Sequence, residues 1–210
     1  GRGAIVLTLA LAVLFALGAA GAQAATATWY VTVDGAGDGT TSAAPAGSWD
    51  LHTILTVSAD SGDMVWVASG AYKPAQASDT NSRDISFTLP VGVAVLGGFN
   101  VPSGSDFSSE DITVSTDRNP GAYETILTGD IDGDGTSSDN SYHVISCDGV
   151  ASQDTNGNLT LLDGFTITEG NADEKNGGGM YNKNSSPTVT SCDFTGNTAT
   201  CNQDGDGGIG

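Results

Sequence analysis

The segment LDGFTIT, residues 162–168, and the segment VTSCDFT, residues 189–195, carry the same apolar rhythm 27 positions apart. Overlaying them sets Leu162 on Val189, Phe165 on Cys192 and Ile167 on Phe194. A second overlay, GGM at 178–180 on GGI at 207–209, has an offset of 29. Two similar offsets in one short region indicate stacked turns of a solenoid, each burying its apolar positions against the next. The glycine pairs then mark corners where the backbone needs positive φ or close approach. If the overlay is right, Phe165, Ile167, Cys192 and Phe194 face a common interior, and Thr166 and Asp193 face out.

The rest of the chain fits this pattern. Short runs alternate at period two: TWYVTVD, DMVWVASG, ISFTLPVGVAVLGGF, ETILTGD, SYHVISCDG and LTLLDGFTIT. Gly, Pro, Asn or Asp separates each from the next, the punctuation of an all-β fold with many short strands. One segment differs: residues 48–59, SWDLHTILTVSA, predict a short helix before the strand at 64–68.

Residues 1–24 are a different kind of polymer. Arg2 precedes the apolar run AIVLTLALAVLFALGAA, and Ala22-Gln23-Ala24 supplies the small-x-small pattern of a signal-peptidase site. The reading is a secretory signal. A membrane anchor is the rival, since the run nears spanning length, but no basic stop-transfer flank follows it. The processed segment is expected to hold no membrane span and to be secreted or displayed at the cell surface. Export makes Cys147, Cys192 and Cys201 disulfide-competent. Three is odd, so at least one is free or paired outside this segment. Cys192 and Cys201 are the nearest pair in sequence, and a buried small hydrophobe on a strand is the equal alternative. The first residue is Gly rather than Met, and the last residues, DGDGGIG, begin a new glycine-pair turn. Both suggest a fragment that continues beyond Gly210. The expected organisation is a signal over 1–24, a cap and first turns over 25–120, and repeats over 121–210.

The formal net charge is −19, which argues against nucleic acid and anionic membrane surfaces as partners.

Three carboxylates, Asp130, Asp132 and Asp134, alternate before Gly135 in LTGDIDGDGTSSDN. Calcium takes six to eight oxygens, and alternate carboxylates followed by glycine fold inward around one ion. The twelfth position is Ser141 rather than Glu, so the bidentate ligand is missing unless Asp139 substitutes. Asn202, Asp204 and Asp206 repeat the spacing before Gly207. The competing reading of both stretches is a solvated turn. Calcium, if bound, is structural.

Other candidates for chemistry are weak. A polysaccharide lyase needs a base, commonly Arg or Lys, and Arg118 in TDRNP reads as a solvated partner of Asp117. A glycosidase needs two carboxylates across the scissile bond, but with 25 acids some pair always has a suitable spacing. Asp148, Asp163 and Asp193 read as turn formers, His52 and His143 as structural, and DGAGDGTT as a turn entering the fold.

GGGM, GGI and FTGN at 194–197 resemble the GG-hydrophobic and FxxN repeats of the polymorphic outer-membrane-protein repeat family. More broadly, SADSGDMVWVASGAYKP, VGVAVLGGF, GDIDGDG, DNSYHVI and LDGFTITEGNA together resemble bacterial secreted proteins of the pectate-lyase-like class. The resemblance runs from about Trp29 to the end. It implies a right-handed parallel β-helix with an N-terminal cap that includes the 48–59 helix. It does not imply an enzyme, because this architecture hosts lyases, hydrolases, adhesins and passenger domains alike. The function expected is a structural, adhesive or glycan-binding module, with glycans or cell-surface components as partners. A carbohydrate-active enzyme, lyase or glycoside hydrolase, is the alternative.

Overall fold

The computed structural model describes residues 26–74, 82–108 and 117–200. The signal segment, Cys201, Asn202, Asp204, Asp206 and the second glycine pair lie outside the described residues.

The described residues are mostly parallel β-sheet with one short helix. It opens with β1 (Thr28–Val31), then α1 (Asp50–Thr53), whose last turn widens into a π-helical segment (Ile54–Ser58). A first pass lays down β2 (Met64–Ala68), β3 (Gly70–Tyr72) and β4 (Phe87–Thr88). A second lays down β5 (Ala94–Phe99), β6 (Thr125–Thr128) and β7 (Ile145–Asp148). A third lays down β8 (Leu161–Asp163), β9 (Thr166–Thr168), β10 (Asn171–Asp173) and β11 (Met180–Lys183). A fourth adds β12 (Thr188–Thr190), β13 (Asp193–Thr195) and β14 (Thr198–Thr200).

Each pass contributes its strands to the same sheets in the same order. The sheets run β1-β2-β5-β8-β12, β3-β6-β9-β13, β4-β7-β11 and β10-β14, and every pairing of these strands is parallel. The offset of 27 reappears as register: Leu162 pairs with Val189, Ile167 with Phe194, and Ala172 with Ala199.

Alternation along the strands places the core between the sheets. Val65, Val95 and Leu162 stack from one sheet, Leu127 and Ile167 from the second, Phe87 and Ile145 from the third. The predicted helix is present. Its buried Leu51, Ile54 and Leu55 join that same core cluster beside Val31 and Phe87. Phe165 and Ile167 are buried, and Cys192 packs against the core. Thr166 is half-buried and Asp193 exposed, as alternation requires. Phe194 keeps its predicted register but is 44% exposed, because β13 is the last strand of its sheet among the described residues. Cys147 is buried and Cys192 half-buried, each carrying a free thiol, and the expected pairing with Cys201 falls outside the described residues.

The corners repeat as faithfully as the strands. Gly164 (φ 84°) and Ser191 (φ 49°) are 27 apart, as are Glu169 (φ 61°) and Gly196 (φ 64°). Left-handed backbone is a property of the position, filled by glycine on one pass and by a strained residue on the next.

Identical register with different burial gives a direct test. Ile167→Ala should cost about 3 kcal/mol through the lost side chain and its cavity, and Phe194→Ala under about 1.5 kcal/mol. Equilibrium urea unfolding of both variants checks the contrast, and equal losses would contradict it.

Candidate functional site

The acidic loop lies between β6 and β7, where the chain leaves the sheet after Thr128. Ile131 is buried and pins the loop, while Asp132 and Asp134 are exposed beside it. The carboxylates fold inward as the spacing anticipates. Asp130 accepts from the amides of Gly133 (2.8 Å) and Gly135 (3.3 Å). Asp132 accepts from Asp134 N (3.2 Å), and Asp134 from Thr136 N (2.6 Å). One oxygen from each of Asp130, Asp132 and Asp134 lies within 4.8 Å of the others. Gly133 and Gly135 take φ of 84° and 76°, which lets the backbone turn this tightly.

Asp139, the proposed substitute ligand, accepts from the Thr136 hydroxyl at 3.1 Å. The Asp134 amide favours the Asp132 carboxylate, yet desolvation and the charges of Asp134, Asp139 and Asp130 together hold its pKa above the ordinary value. Asp134 moves the other way, held down by its Thr136 hydrogen bonds. Sequence reasoning missed Lys73. Its Nζ would lie 2.5 Å from a Cβ added at Gly133, so one ammonium already leans on the acidic loop. Nothing in the sequence signals this, because β3 and the loop meet only through sheet stacking.

Arg118 overturns its solvated reading. Its side chain is 11% exposed, with Nε donating to Gly97 O (2.6 Å), Nη1 to Asp163 Oδ2 (3.1 Å) and Nη2 to Asp163 O (2.8 Å). Asp163 is therefore an ion-pair partner across two passes rather than a simple turn former. With every guanidinium nitrogen engaged, Arg118 is a strut. It borders a cleft of about 790 Å³ that also takes in Glu124, Thr166, Cys192 and Asp193. Glu124 there accepts from the Thr166 hydroxyl at 2.8 Å.

His143 has a structural setting: Nδ1 lies 2.9 Å from Gly177 O, and the ring stacks on Tyr181. Burial pushes its pKa below the ordinary value. His52 sits in α1, where its carbonyl accepts from the Thr56 hydroxyl. The DGAGDGTT stretch is a turn, closed by Gly37 N to Pro45 O and Gly39 N to Ala44 O. Burial raises the pKa of both Cys147 and Cys192, which disfavours the nucleophilic thiolate.

Comparison with known proteins finds no matching family, no matching curated protein and no matching solved structure. Among the described residues, no helix is long and apolar enough to cross a membrane.

The strut reading predicts that Arg118→Ala, which strands Asp163 in a mostly buried site, costs about 3 kcal/mol. Lys183→Ala, which breaks only the exposed pair with Asp148, should leave the stability close to that of the parent. Chemical denaturation distinguishes the two, and an Arg118 variant as stable as the parent would refute the strut.

Proposed function

We propose that the chain winds as a right-handed parallel β-helix and serves as a secreted or cell-surface module with a structural, adhesive or glycan-binding role. The observation that carries this reading is the repeated, in-register parallel stacking, with apolar groups inside and, on the last passes, small polar groups outside. On the last two passes the outward positions are Thr166, Thr168, Asn171 and Asp173, then Asp193, Thr195, Thr198 and Thr200. Such a surface presents ranks of hydroxyls, amides and carboxylates on a rigid frame, suited to many weak hydrogen bonds with a polyhydroxylated partner. Right-handedness is supported by the general rule for connections between parallel strands of one sheet, about 98% of which have that hand.

Calcium fits this reading as a stiffener. One oxygen from each of the three carboxylates converges here, short of the six to eight calcium takes, so Asp139, carbonyls or water would complete the shell and affinity is weak, on the order of 10⁻⁴ to 10⁻³ M. The ion would relieve the repulsion from Asp134, Asp139 and Asp130 that, after desolvation, raises the Asp132 pKa.

Calcium at several millimolar should therefore raise the melting temperature by linkage. Replacing Asp132 and Asp134 with Asn should remove most of that rise while leaving the far-ultraviolet β signal intact. Because protons compete for the same carboxylates, the rise should shrink as pH falls through the carboxylate range, with Asp132, whose pKa is raised, protonating before Asp134, whose pKa is lowered. A melt and a calorimetric trace that ignore calcium reduce the loop to a solvated turn.

A binding role also predicts retention without cleavage. Incubation with polyuronates should release no unsaturated sugar absorbing in the ultraviolet, since Arg118 has no free nitrogen to act as a base. Release of such a product, lost on replacing Arg118 or Lys183, would make the protein a lyase.

A further inference from the structure

The β4–β7–β11 sheet gathers on its outer side groups that the sequence scatters. Tyr181 pairs with Ser146 on the side opposite the core residues Ile145 and Cys147, and Lys183 pairs with Asp148. The Tyr181 ring stacks on His143 with centroids 4.8 Å apart. Next to it, Tyr142 is held between Arg83, whose Cζ is 4.2 Å from the ring centroid, and Lys175, whose Nζ is 3.6 Å away. Lys175 pairs with Asp84 at 3.1 Å, and both charges are close enough to His143 to act on it. All three rings are half-buried.

The charge balance sets this face apart. The chain has 25 acids against six lysines and arginines, and three of those six, Arg83, Lys175 and Lys183, stand here. Their acidic partners are Asp84 and Asp148. Asp173, close in sequence, points instead toward β14, where it accepts from the Thr200 hydroxyl. Even with exposed Glu174 beside Lys175, three cations here meet three acids, so an anion meets less repulsion at this face than a chain of net charge −19 offers on average. Both ion pairs are open to solvent, with Lys175 43% and Lys183 54% exposed, so each ammonium exchanges its carboxylate for an incoming anion at little cost.

Resting on the glycan-binding reading above, we propose that this face retains an anionic glycan, its sugar rings against the aromatic group and its acid groups on Lys175 and Lys183. Arg83, bonded to the carbonyls of Asn140 and Asn171, fixes Tyr142 rather than the ligand.

Affinity electrophoresis of the full chain in calcium-free buffer, through gels containing a polyuronate, a sulfated polysaccharide or a neutral glucan, tests this. Retardation by the polyuronate or the sulfated polymer and not by the glucan is expected, with the stronger of the two naming the acid group. Lys175→Glu and Lys183→Glu should each weaken retention about fivefold, the upper end of what an exposed charge contact contributes. Tyr181→Ala should weaken it about tenfold, as loss of an aromatic platform does. Lys73→Glu, the same charge change off this face, should leave it unaltered. Thermal melts of each variant show that the fold is kept. Retardation equally sensitive to Lys73→Glu overturns the face. Binding of the neutral glucan alone, indifferent to both lysines, overturns the acidic class and leaves the glycan-binding reading standing. No retardation in any gel removes that reading as well.

Discussion

The structure depends on stacking one pass of chain on another at the distance of a sheet hydrogen bond, and the corners are where that is hardest to do. Strands pair through backbone alone, but a turn exposes carbonyls and amides that need other partners. Asn197 meets this need. Its Oδ1 accepts from Gly170 N at 2.9 Å, and its Nδ2 donates to Ile167 O and Thr195 O. Asn140 stands at the equivalent corner of the second pass and donates to Glu169 O at 2.8 Å. Between them the third pass has Gly170, where a Cβ would lie 1.9 Å from Gly178 O. The two motifs GGGM and FTGN meet in space at this corner. A Cβ at Gly179 would fall 2.9 Å from both Asn197 Nδ2 and the Phe194 ring. The glycine pair is what lets the phenylalanine and asparagine of the following pass seat themselves.

The acids are absorbed by the same logic. A chain this negative would repel itself unless its carboxylates found donors, and many do so by closing turns. Asp63 accepts from Ala27 N, Trp29 Nε1 and Asp60 N, tying β1 to the start of β2. Asp154 accepts from the Ser61 hydroxyl and from Asn156 and Asn158, which hold its carboxyl well below the usual range. The Asp130 loop uses the same device, with one difference. There the Asp134 amide favours the Asp132 carboxylate too, but desolvation and the crowding of Asp134, Asp139 and Asp130 together outweigh it and raise the Asp132 pKa.

How much of this was legible follows from which interactions leave a local trace. The period of 27 was readable because inward positions must be apolar on every pass, and it reappeared as register. Burial of Phe194 was not, because burial depends on what lies over β13. The corners were half-legible: Gly164 and Gly196 announce left-handed backbone, whereas Ser191 and Glu169 adopt it under duress from their neighbours. Arg118 was misread because its partner lies 45 residues away and only stacking brings them together. Lys73 beside the acidic loop, and the cations around Tyr142, were hidden for the same reason. The DxDxDG spacing, by contrast, anticipated the inward fold of Asp130, Asp132 and Asp134, since that geometry is set within six residues.

The two ends of the first sheet show how one architecture serves different surroundings. On β1, β2 and β5 the outward side is apolar: Tyr30, Trp66 and Leu96 pack with Phe99 and Phe107, the Trp66 and Phe99 rings stacked at 4.8 Å. The loop carrying Phe107 lies across them, its amide bonded to Ser42 O. On β8 only Leu161 still reaches this layer, beside Asp163 taken by Arg118, and on β12 the corresponding residues are Thr188 and the exposed Thr190. The early passes are thus wrapped on both sides, by helix and core within and by an aromatic layer without. On the later passes this covering thins, until β12 and β13 leave much of their surface to solvent. Stability concentrates where the sheet is doubly covered, which frees the polar face of the last passes to vary in chemistry without endangering the fold.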